Sequence, residues 1–102
     1  MLHNRYCMKV TVVFTMKGCP YCSMIKEELN KENISFIERD IDDFEEEYDE
    51  FVSLTENDFL PALMLLTINE KEETSNVELL APERDFNDIY EGVEMVKNYL
   101  LD

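Results

Sequence analysis

At 102 residues the chain is long enough for one domain with a single hydrophobic core and too short for two. Its apolar content of 45% is that of an ordinary globular protein and argues against disorder. A net charge of −15 argues against nucleic acid as a ligand, since phosphates would be repelled, and would steer in a partner with a basic face. For most of these carboxylates the plain role is solubility. No uncharged apolar run approaches the ~20 residues a membrane helix needs, because Arg5, Lys9 and Lys17 interrupt the N-terminal candidate. Three cysteines, an odd number in a low-cysteine chain, point away from a disulfide-stapled secreted scaffold and toward a reducing compartment, the cytoplasm.

Residues 1–7 lack periodicity and are expected to form a short extension before a single domain over 8–102. Cys7, at the edge of the first strand, is expected to be a partly buried small apolar residue. The first strand is predicted over 8–14, where Val10, Val12, Val13 and Phe14 supply β-branched and apolar side chains. Gly18 then permits a sharp turn, and Pro20 suits the first helical position, where an amide hydrogen would have no intrahelical partner. Cys19 therefore falls at the N-cap, against the positive end of the helix dipole and near unpaired backbone amides. Such a place favours the thiolate, which is the nucleophile. Cys22, three residues on, shares the helical face of Cys19 and is close enough to close a disulfide. One cysteine can attack and the other can resolve.

The helix is predicted over 20–31, with Cys22, Ile25 and Leu29 on its buried face and Asn33 marking the turn. A second strand is expected over 34–39, carried by Ile34, Phe36 and Ile37, parallel to the first through a right-handed crossover. In the acidic stretch that follows, Asp42 or Asp43 is expected to cap a helix whose apolar stripe is Phe44, Tyr48, Phe51, Val52 and Thr55. Its carboxylates have no fixed loop geometry and form a solvated face. Phe59, Leu60 and Pro61 lead into 62–68, a buried central strand that Pro61 opens because it cannot donate to a ladder. An antiparallel hairpin to 77–80 is expected next. A final helix should follow Pro82, with Asp85 as cap and Phe86, Ile89, Tyr90, Val93, Val96 and Leu100 on its core face. Gly92 inside it costs helix stability.

This order of elements, with Cys19-Pro20-Tyr21-Cys22 between strand and helix and Leu60-Pro61 before the third strand, resembles the thioredoxin fold, and in size and motif a glutaredoxin. The likeness runs from Met8 to the C-terminus. It implies an α/β fold with a four-stranded mixed sheet in the order 2-1-3-4, flanked by about three helices. It also implies that Pro61 is cis and lies beside Cys19, with Leu60 offering its backbone to an extended thiol peptide and Tyr21 forming part of the site surface. Two positions depart from the family pattern. Glutaredoxins usually carry a Gly-Gly pair before the last helix, where bare backbone approaches glutathione, and this chain has Arg84-Asp85. Asp85 is expected to meet an amino group there and Arg84 a carboxylate. The basic residue common three positions before the first cysteine is Met16 here, with Lys17 one step later. Lys17 is then either a stabiliser of the Cys19 thiolate or glutathione ligand, or a solvated lysine.

The implied activity is dithiol–disulfide exchange on protein disulfides or glutathione mixed disulfides, by a monomer with no bound cofactor or metal and with glutathione as reducing co-substrate. Family members act on ribonucleotide reductase and other disulfide-forming enzymes. One rival is the same chemistry recycled by a thioredoxin reductase. The others are non-enzymatic: a metal module, for which one Cys-x-x-Cys pair has only His3 and Cys7 to help, and an acidic adaptor that docks a basic protein. Hydrolysis by Cys19 is disfavoured because His3 is the only histidine, and it lies in the extension.

Overall fold

A computed structural model describes residues 7–101. Apart from Cys7, the expected N-terminal extension, including His3, lies outside the described residues. Seven elements follow one another: β1 (Met8–Thr15), α1 (Pro20–Lys31), β2 (Ile37–Asp40), α2 (Glu45–Thr55), β3 (Ala62–Ile68), β4 (Thr74–Leu80) and α3 (Ile89–Leu101). The strands form one mixed sheet in the order β2-β1-β3-β4. β1 and β2 are parallel, while β1–β3 and β3–β4 are antiparallel. The expected α/β architecture, that of the thioredoxin fold, is present in strand order and helix number.

Alternation along the two central strands builds a core on each face of the sheet. Val13 of β1 with Leu63 and Leu65 of β3 meets Ile25 and Leu29 of α1 and Val93, Val96 and Tyr99 of α3. On the opposite face, Val12, Phe14 and Ala62 meet Tyr48 and Phe51 of α2. The Phe14 ring packs tilted against Tyr48 and Phe51, with centroids 5.5 Å away in both cases. Helices thus cover both faces, and the loops at the C-terminal end of β1 and the start of β3 are left to carry chemistry.

Several expectations are corrected. The second strand begins at Ile37, not Ile34, because Ile34 closes α1. Asn33 sits in the left-handed region at φ 60, the Ile34 N–H donates to Leu29 O at 2.9 Å, and the Asn33 N–H donates to Asn30 O at 3.0 Å. This is the Schellman arrangement, with Ile34 as its apolar anchor. Neither Asp42 nor Asp43 caps α2, whose N-cap is Phe44 without a side-chain cap bond. Both aspartates belong to a turn held by Asp40, and Glu45, Glu46 and Glu47 complement the dipole instead. Cys7 is exposed, since it precedes the first residue of the ladder. A further correction concerns α3, which starts at Ile89 rather than just after Pro82. Its start is stabilised by Asp88, whose Oδ1 accepts the Glu91 N–H at 2.8 Å, and by Glu91, whose Oε1 accepts the Asn87 N–H at 2.7 Å. Tyr90 and Leu100, expected on the core face of α3, are exposed, and Tyr99 lies in the core instead. β4 also begins earlier than expected, at Thr74, because Asn69 organises a tight turn by accepting the Lys71 and Glu73 amides on Oδ1.

Candidate redox site and its groove

β1 ends at Thr15, and the chain turns through Gly18 at φ 76. A Cβ at Gly18 would meet nothing within 4 Å, so glycine serves this turn through its backbone freedom and not through lack of space. Cys19 follows as the N-cap of α1 with extended backbone, and Pro20 opens the helix. The Cys22 amide donates to Cys19 Sγ at 3.1 Å, so the sulfur acts as the capping acceptor. Cys19 and Cys22 are joined in a disulfide with their Cα atoms 5.2 Å apart. The two differ in access. Cys22 is 2% exposed and belongs to the buried face of α1, whereas Cys19 is half-buried. A reagent arriving from solvent therefore meets Cys19, and Cys22 is reached from inside.

Behind the pair, Glu38 of β2 accepts a hydrogen bond from Lys26 Nζ at 2.9 Å and another from Thr15 Oγ1 at 2.7 Å. The Lys26 bond first, then that from Thr15, holds the Glu38 carboxyl below its ordinary value of 4.5. These bonds fasten the end of β1 and the second turn of α1 to the sheet edge, which fixes the loop between them.

A cavity of about 460 Å³ opens at Tyr21, the residue before Cys22, and neither cysteine is among the residues that line it. Tyr21 and Met24 of α1 form one wall, and Phe59, Leu60 and Pro61 of the loop before β3 form the next. The third wall comes from the segment between β4 and α3, through Pro82, Glu83, Phe86 and Asp88, and from Tyr90 in the first turn of α3. The Leu60–Pro61 peptide bond is cis, and Pro61 is buried. Asn57 joins two of these walls: its Nδ2 donates to Pro82 O at 2.9 Å while its Oδ1 accepts the Phe59 N–H at 2.9 Å.

Of the residues singled out from the sequence, Cys19 and Cys22 are brought together, and Tyr21, Leu60 and Pro61 share the cavity wall. Lys17 is exposed in the turn before Cys19 and does not line the cavity. Arg84 and Asp85 do not line it either. The Arg84 guanidinium donates to Leu79 O at 2.9 Å and to Asp85 Oδ2 at 2.8 Å, and Asp85 Oδ2 also accepts the Ala81 N–H at 2.7 Å. These atoms brace the loop after β4. One residue earlier, Glu83 takes φ 69, the backbone region that favours glycine, yet it carries a side chain on the cavity wall. Phe59, Glu83, Asp88 and Tyr90 were not singled out as site residues. The signal available was an aromatic two residues before Pro61 at Phe59, whereas Tyr90 was hidden by its helical spacing.

Among the described residues no group of three His, Cys, Asp or Glu side chains is placed to hold a metal ion. No helix among them is long and apolar enough to cross a membrane.

The family model for glutaredoxin matches residues 11–69. No curated protein matches the sequence. Among solved structures, a single-site mutant of the thioredoxin-like protein BC3987 is similar at 17% identity and a TM-score of 0.54, over 88% of this chain and 97% of that one. The malaria parasite's thioredoxin-2, a component of its protein secretion machinery, is similar at 18% identity and a TM-score of 0.52, over 90% and 84% of the two chains. These structural likenesses bear on the fold.

Proposed function

Because the chain belongs to the glutaredoxin family, whose members are thiol–disulfide oxidoreductases, we propose that it reduces protein disulfides or glutathione mixed disulfides through Cys19 and Cys22, with glutathione as reducing co-substrate. The observation that carries this reading is the Cys22 amide donating to Cys19 Sγ at the start of α1, an arrangement that stabilises negative charge on the more accessible sulfur. The Cys19 thiolate attacks one sulfur of the substrate disulfide. That bond breaks, and the first substrate sulfur leaves as a thiolate that takes a proton from solvent. Cys22, deprotonated, then attacks Cys19 Sγ and displaces the second substrate thiol. Two electrons have passed to the substrate, and the protein is left with the Cys19–Cys22 disulfide. Two glutathione molecules, oxidised to their disulfide, restore the dithiol.

Tyr21, Leu60 and Pro61 form the platform on which an extended substrate lies in this reading, with Leu60 offering backbone groups. Lys17 is close in sequence to Cys19 and serves the thiolate or a substrate carboxylate. The reading places the protein in the cytoplasm, where disulfide-forming enzymes such as ribonucleotide reductase need electrons.

In the test, Cys19→Ser abolishes disulfide reduction, while Cys22→Ser accumulates a mixed disulfide on Cys19. Retained reduction in Cys19→Ser together with loss in Cys22→Ser would overturn the assignment of roles.

A second reading, recycling by a thioredoxin reductase, is favoured by one feature. The cavity wall carries Glu83 and Asp88 and no lysine or arginine, a poor match to the two carboxylates of glutathione. Turnover with glutathione and glutathione reductase, set against turnover with thioredoxin reductase, separates the two readings.

A further inference from the structure

Large apolar side chains are usually scattered when they are exposed, and a contiguous group of them marks a docking surface. Here Tyr21 at 61%, Met24 at 42%, Phe59 at 50% and Tyr90 at 63% exposure all open onto the cavity. Cis-Pro61 and the buried Phe86 complete the apolar surface. The charged side chains on its wall are Glu83 and Asp88, and neither belongs to any ion pair formed among the described residues. The nearby guanidinium of Arg84 is engaged by Asp85 and by Leu79 O.

Three aromatic side chains beside two carboxylates that no cation among the described residues neutralises, one of them also capping α3, suit one kind of guest. Aromatic faces attract cations, carboxylates pair with them, and the stems of arginine and lysine lie against apolar surface. Resting on the oxidoreductase reading above, we propose that this groove selects protein disulfides in which an arginine or lysine and an apolar residue lie within three positions of the half-cystine that Cys19 attacks. The apolar residue packs against Met24, Pro61 and Phe86, and the cationic side chain lies over the aromatic wall toward Glu83 and Asp88. An acidic flank is repelled by the same carboxylates.

The test is a single turnover of pre-reduced protein, so that Cys19 and Cys22 supply both electrons and no external reductant enters. Three looped peptide disulfides are compared, identical except for the residues flanking the attacked cysteine: Arg and Leu, Glu and Leu, or Arg and Ser. At low ionic strength the Arg-Leu peptide should be reduced about fivefold faster than the Glu-Leu peptide, as expected of two exposed ion pairs. That ratio should shrink as salt is added. The Arg-Leu peptide should also outpace Arg-Ser. In Glu83→Gln with Asp88→Asn, where asparagine keeps the cap of α3, the ratio of Arg-Leu to Glu-Leu should fall toward one. Being a ratio within one protein, it is insensitive to a common loss of folded material, and Glu83→Gln alone should lower it partway.

Equal rates for the three peptides would overturn the proposal and leave the oxidoreductase reading standing. A ratio that persists in the double variant would also overturn it, because the selection would then come from the overall acidity of the surface. If Cys19-dependent reduction is found with none of the peptides nor with any small disulfide, both readings fall.

Discussion

The side chain of Asn57 reaches 25 residues along the chain to donate a hydrogen bond to the carbonyl of Pro82. With its oxygen accepting the Phe59 amide, it ties the loop before cis-Pro61 to the loop before α3, and so holds two walls of the groove together. Asn57→Ala removes both bonds and should cost about 1–2 kcal/mol in urea unfolding. It should also raise KM for peptide disulfides more than for a small symmetrical disulfide, which does not need both walls. An equal rise for the two substrates would mean that Asn57 supports the fold without shaping the groove.

Gly92 is a helix-interior glycine whose reason lies in packing. A Cβ there would come within 3.2 Å of the Phe86 ring, itself buried on the wall of the groove. The helix propensity gained by Gly92→Ala, about 1 kcal/mol, is therefore set against displacement of that ring. Gly92→Val adds more bulk and should lower stability by about 2 kcal/mol through overpacking. Denaturant midpoints measure both variants, and a midpoint for Gly92→Val at or above that of the parent would show that Phe86 yields freely.

Glu38 gives a pH signature. Its carboxyl is held below the ordinary 4.5 by Lys26 and Thr15, so its stabilising contribution is fully present above that value. The contribution is lost as pH falls through the lowered folded-state value. Glu38→Gln should lower the melting temperature by about 2 °C at neutral pH, the scale of an exposed ion pair in a domain of this length. The gap between the two proteins should close as the pH is taken below 4.5. A gap unchanged at low pH would mean that the charge of Glu38 contributes nothing.

How far the sequence was legible varied with how local the deciding physics was. Gly18, Cys19 and Pro20 announce their turn, cap and first helical position through their own backbone and side-chain chemistry, and each takes up that geometry. The alternation in β1 and the apolar run of β3 likewise reflect burial on the two faces of the sheet. Ile34 was harder to place, because an isoleucine beside a strand and one closing a Schellman turn look alike until the left-handed Asn33 is seen. Asp85 and Asp88 are both plausible caps, and choosing Asp88 depends on Asp85 being engaged by Ala81 and Arg84. The groove was least legible. Phe59 and Tyr90 lie 31 positions apart, and only the packed chain brings them to the same opening.

At the other end of the sheet, Lys9 Nζ donates to the carbonyl of Tyr99 at 2.8 Å and lies over its ring. The ammonium thereby satisfies a carbonyl of the last turn of α3 and joins the first strand to the last helix. Thr15 lies six positions beyond Lys9, roughly 20 Å at the usual rise, so this seam and the turn that carries the redox pair lie at opposite ends of β1. A fluorophore, surface tether or fused neighbour attached through the seam would therefore project away from the groove, leaving the approach to Cys19 clear.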